Sequence, residues 1–146
     1  MRKLLVLSLL VVSLLVVSGG MVQAEYYNEV SNITNMMVQD MQSMSSDINS
    51  FSNGSMSADT FLDRLESNRR RTLNNLVDMI ALESKADNKE FHAETTSLIS
   101  NWLLAIELVR DGLKENEMSK IEAATIVMGS ITEKANYLTE KIKSYK

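Results

Sequence analysis

The chain has no cysteine and no proline, five glycines, and a single histidine and tryptophan. Without cysteine it forms no disulfide, carries no lipid-modified cysteine and offers no Cys-x-x-Cys-His to attach haem. Without proline nothing in the sequence forbids long helices. With so little glycine there is no nucleophile elbow and no phosphate loop, and with one histidine no Glu-x-x-His pair exists for a di-iron site in a helical bundle. Serines abound, yet no nucleophile, base and orienting group assemble from this inventory. We therefore expect no enzyme.

What is present first is an export-like leader. Arg2 and Lys3 precede a run from Leu4 to Val17 that is apolar apart from Ser8 and Ser13. Ser18, Gly19 and Gly20 end the run, and Val22 and Ala24 suit signal peptidase, so residues 1–24 read as a cleavable signal peptide cut after Ala24. The rival is a retained membrane anchor, since Leu4 to Val22 approaches the roughly 20 residues that span a bilayer. The expected location is periplasmic or extracellular, with membrane contact only if this segment stays. Cleavage leaves residues 25–146, enough for one domain with a sizeable core. It also leaves 13 basic against 19 acidic side chains, a net charge near −6. That balance argues against nucleic acid, whose binding rests on Lys and Arg facing phosphates.

The mature chain has the 3.6-residue period of helices throughout. The central stretch, Phe91 to Leu113, carries Phe91, Leu98, Trp102, Ala105, Ile106, Val109 and Leu113 on one stripe, with Thr95 in the same row. The segment 25–51 repeats Tyr26, Val30, Ile33, Met37, Met41, Met44, Ile48 and Phe51 at steps of three and four, with many Ser and Asn residues between them. Those interleaved residues are poor helix formers, so this helix is expected to depend on its neighbours. After a turn at Ser52 to Ser57, with Ser57 as cap, the second helix spans about 58–83. Its apolar stripe reads Phe61, Leu62, Leu65, then Leu73, Leu76, Val77 and Ile80, broken where Asn68 and Arg69 intervene.

Asp87 with Glu90 resembles a capping box for the third helix, 89–113, which Gly112 to Glu117 would end. Ser119 with Glu122 resembles another for the fourth, 120–145. Its stripe runs Ile121, Ala124, Met128, Ile131, Ala135, Leu138, Ile142 and Tyr145, and Lys141, Lys143 and Lys146 complement its dipole. Four such helices with short connections predict an all-α, up-down-up-down four-helix bundle with coiled-coil-like crossing. A three-helix core with a loose first helix is the structural alternative.

Three groups of residues hold potential chemistry. Met37, Met41 and Met44 share one face, and soft thioethers select Cu(I), although methionine also fills core gaps. His92 is a candidate metal ligand beside them, with Met128 as a further donor, or a haem ligand opposite a methionine; a lone histidine at a helix start is more commonly a solvated or hydrogen-bonded surface residue. Arg69, Arg70 and Arg71 fan around the second helix, where they form either a solvated face or a docking point for an acidic partner. Arg69 sits where the apolar stripe should continue, so it snorkels outward or pairs across the bundle. Asn32 and Asn53 begin N-glycosylation patterns, of consequence only in a host that glycosylates exported proteins.

The function expected from the sequence is therefore non-catalytic: a binding or structural role toward a protein partner, itself, the cell envelope or a small apolar ligand, with no cofactor. Its physical basis would be an apolar stripe uncovered when the first helix moves aside. The alternative is an extracytoplasmic copper-handling protein that uses the methionines.

Overall fold

A computed structural model describes residues 21–144, with side chains described from Glu25 to Leu138 apart from Ser84. Residues 1–20 of the expected signal peptide lie outside the described residues. So do the side chains of Lys141, Ile142, Lys143, Tyr145 and Lys146. Four α-helices follow one another, α1 Met21–Ser52, α2 Ala58–Ala81, α3 Lys89–Glu115 and α4 Met118–Ser144, with a 3-10 turn at Glu83–Lys85 between α2 and α3. Among the described residues there is no strand and no helix long and apolar enough to cross a membrane. The fold is all-α with four helices, consistent with a four-helix bundle.

Contacts between helices fix their directions. Asp47 meets Arg64 and Asp40 meets Arg71, so α1 and α2 run antiparallel. Glu66 reaches Arg110 and Arg69 reaches Glu107, which reverses α3 against α2. Ser97 accepts a hydrogen bond from Lys134, and Gly112 lies against Ile121, which reverses α4 against α3. The starts of α1 and α3 meet, with Tyr26 on His92 and Tyr27 on Phe91.

Several helix boundaries have a local cause. Ser57 caps α2 as expected, accepting from the Thr60 N–H at 3.2 Å, and Gly54 in the preceding turn has φ 82°, a left-handed conformation that glycine adopts without steric cost. At α3 the cap is Asn88 rather than Asp87: the Asn88 side chain accepts from the Phe91 N–H at 2.9 Å, while Asp87 accepts from the Asn88 N–H. α3 also runs through Gly112 and stops four residues later at Asn116, φ 57°, where the Glu117 N–H returns to the Gly112 carbonyl at 2.9 Å. α4 then begins at Met118, so Ser119 and Glu122 lie inside its first turns and do not cap it. The described part of α1 reaches back to Met21, ahead of the expected Glu25.

The stripes of α1, α3 and α4 are buried as their spacing predicts. Tyr26 to Phe51 on α1, Phe91 to Val109 on α3 and Ile121 to Leu138 on α4 join one core, with Leu113 packed partly buried against it. α2 departs from the expectation. Its buried positions are Phe61, Leu65, Asn68, Thr72, Asn75 and Met79, continued by Leu82, an unbroken alternation of steps of four and three. Leu73, Val77 and Ile80, expected inside, are exposed at 40, 58 and 52%.

The physical reason is charge. Turning α2 by about 100° to bury those three would carry Glu66 and Arg69 toward the core, and uncompensated charge there costs several kcal/mol per ion. In the observed phase Arg69 sits at the α2–α3 seam and pairs with Glu107 at 3.1 Å, resolving its break in the stripe by pairing across the bundle. The polar residues that go inside largely find partners: Asn68 donates to the Asp40 carbonyl at 3.0 Å, and Thr72 donates to Asn68.

Candidate functional site

α2 thus carries two seams. The inward one holds Asn68, Thr72 and Asn75 between apolar ends, and the outward one aligns Leu73, Val77 and Ile80 at steps of four and three. Leu62 and Leu76, partly buried, join the second seam to the core. Single exposed apolar residues are ordinary, but three in register on one helix make a ridge of the kind that seats in a groove.

The ridge ends in an open pocket of about 470 Å³ between the end of α2 and the first half of α3, lined by Ile80, Glu83, His92, Ala93, Thr96, Ser97 and Ser100. Its surface is mainly apolar. Of its hydroxyls, those of Thr96 and Ser100 donate to backbone carbonyls of α3 and that of Ser97 accepts from Lys134. A second groove of about 370 Å³ on the α1–α2 side is lined by Glu29, Asn32, Ile33, Asp78 and Lys85 among others, and there Lys85 already pairs with Glu29 at 3.1 Å.

His92 is hydrogen-bonded, one of the two states expected of a lone histidine at a helix start, but it is buried and not on the surface, at 5% exposed. Its Nδ1 lies 3.1 Å from the Tyr26 hydroxyl, so α1 closes over it. Burial pushes the imidazole pKa down, opposed by the nearby Glu83 and assisted by Lys89, and burial likewise pushes the Tyr26 phenol up. Both groups are therefore held neutral at ordinary pH.

The sequence-derived metal set does not converge on one point. Met37, Met41 and Met44 are all buried on the core face of α1. His92 sits level with Tyr26, eleven residues before Met37, about 16 Å along the helix axis at 1.5 Å per residue. Met128 is buried on α4. Among the described residues no group of three His, Asp or Glu side chains is placed to hold a metal ion.

The three arginines also diverge. Arg69 binds Glu107 and Glu66, Arg70 binds Glu66 from an exposed position, and Arg71 binds Asp40 at 2.6 Å and Ser67. Arg69 and Arg71 thereby tie α2 to α3 and to α1, and Arg70 is the most exposed of the three. Partial burial pushes the Glu66 carboxyl up, but Arg69, Arg70 and Arg110 together hold it below the usual range. Asn32 and Asn53 are both exposed, the first within α1 and the second in the turn after it.

The expected stripe follows the aliphatic residues past the break at Asn68 and Arg69 and so takes the ridge for core. The signal was in the spacing: Phe61, Leu65, Met79 and Leu82 fix a phase at steps of four and three that admits Asn68, Thr72 and Asn75 and excludes Leu73, Val77 and Ile80. Comparison with protein-family models, with curated proteins and with solved structures finds no match to this chain.

Proposed function

We propose that this chain is an exported, non-catalytic helical protein that acts by binding a protein partner, or itself, through the outer face of α2. The observation that carries the reading is the inversion on that helix, with Asn68, Thr72 and Asn75 buried while Leu73, Val77 and Ile80 face solvent. Water contact for three aligned aliphatic side chains forgoes on the order of 1 kcal/mol each, a cost that a partner covering the ridge recovers. No movement of α1 is needed to uncover this surface, because α1 buries its own stripe completely. Export rests on the pattern of residues 1–24, and the acidic balance of the remainder favours a protein over nucleic acid as partner.

The test is a photo-crosslinking side chain placed at Val77, with Ile126 on α4, 75% exposed, as the control position in the native host. We expect a discrete adduct from position 77 and none from 126. Absence of any adduct at 77 would remove the ridge as the interaction surface.

A further inference from the structure

We propose that the occupant of the α2 ridge is a second copy of this chain, its α2 lying antiparallel about a two-fold axis that passes between Leu76 and Val77. The inference rests on the ridge being the interaction surface and goes on to identify what covers it.

Three features of the ridge share one midpoint. Leu73 and Ile80 stand equally far on either side of it, about 10 Å apart along the axis at 1.5 Å per residue, so a two-fold sets each against the other's counterpart. Val77 and Leu76 lie next to the axis and meet their own copies. Beyond them Arg70, whose side chain is 75% exposed and rests on Glu66, and Glu83, exposed in the 3-10 turn just after α2, stand equally far along the chain from the same point, so the antiparallel arrangement brings each arginine toward the partner's Glu83. A parallel arrangement would set Arg70 on Arg70 and lose both pairs.

The pocket supplies shape as well as charge. It opens beside Ile80 and Glu83, where the partner's Leu73 and Arg70 arrive, so each chain offers a projecting leucine at one end of the ridge and a recess at the other. One surface provides both halves of an isologous contact, and no second kind of protein is required to complete it. Four apolar side chains and one ion pair per chain make a small contact, so the association is expected to be reversible and in the micromolar range.

The test begins with the mass in solution, by sedimentation, of protein purified from its native compartment over a range of concentrations. We expect a monomer–dimer equilibrium. Val77→Asp should abolish the dimer while leaving helical content unchanged, and leaving the melting temperature unchanged at dilutions where the unsubstituted chain is monomeric, since Val77 is exposed. Arg70→Glu should weaken association about tenfold, and adding Glu83→Arg should restore it. Because the chain lacks cysteine, Val77→Cys gives a single reporter thiol per chain, expected to yield a disulfide-linked dimer on mild oxidation where Ile126→Cys does not.

A monomer at every concentration, or a dimer that survives Val77→Asp, overturns the inference. The photo-adduct at Val77 separates this from failure of the broader reading. An adduct of twice the chain mass supports the second copy; an adduct of another mass overturns the second copy and leaves the interaction face standing; no adduct overturns both.

Discussion

At the scale of single residues, the buried polar groups make the sharpest predictions. Asn75 is buried, and its amide nitrogen has no hydrogen-bond partner among the described residues; Trp102 Nε1 and Ser52 Oγ share that condition. A buried donor left unpaired costs about 1–3 kcal/mol, so Asn75→Leu is expected to raise stability by about that amount in urea unfolding. A loss would mean that the amide has a partner. His92 makes the pH prediction. Its folded pKa lies below the ordinary value near 6.5, so the unfolded chain takes up the proton first. Stability should fall as pH drops through about 6.5 and level off once the folded imidazole, facing Tyr26, Glu83 and Lys89, also charges. His92→Gln should remove that drop, and urea midpoints from pH 8 to 5 for the two proteins would show it. An unchanged slope would mean that His92 is solvated.

At the scale of elements, the α3–α4 contact depends on Gly112. A methyl group there would meet Ile121 Cγ1 at 2.8 Å and the Glu117 carbonyl oxygen at 3.0 Å, whereas one at Gly129 meets nothing within 4 Å. Gly112→Ala is expected to destabilise by about 1–3 kcal/mol through overpacking. Gly129→Ala should stabilise by about 0.5–1 kcal/mol, since mid-helix glycine is costly. Thermal melts of the two variants should thus move in opposite directions. This role of Gly112 was not legible in the sequence, where a glycine near the end of a stripe reads as a stop. The stripes of α1, α3 and α4 were legible over the described side chains, because the apolar residues that recur at steps of three and four are the buried ones, while Met36, Leu104, Ile126 and Tyr137 fall off that phase and are exposed. α2 was not, because hydrophobicity and phase point to different faces, and phase wins when the alternative buries Glu66 and Arg69. His92 misled for a related reason: its burial comes from Tyr26, 66 positions away in sequence, and no local pattern encodes that contact.

At the scale of the whole molecule, a packed core contrasts with an exposed aliphatic ridge on α2. Met37, Met41 and Met44 belong to the core in this reading, so replacing all three with leucine should keep the fold at a cost under about 1.5 kcal/mol per site. Cu(I) titration of the native protein should then show no saturable stoichiometric site. A stoichiometric site that the leucine variant loses would put the copper reading ahead. The central claim remains that α2 presents Leu73, Val77 and Ile80 to solvent and Asn68, Thr72 and Asn75 to the core. The most direct measurement is thiol labelling in this cysteine-free chain, with single cysteines at Asn68, Thr72, Leu73, Asn75, Val77 and Ile80, at protein concentrations low enough to keep chains apart. The account predicts that cysteines at 73, 77 and 80 react as fast as one at Ile126, while those at 68, 72 and 75 are protected. Protection at 73, 77 and 80 with rapid labelling at 68, 72 and 75 would contradict it.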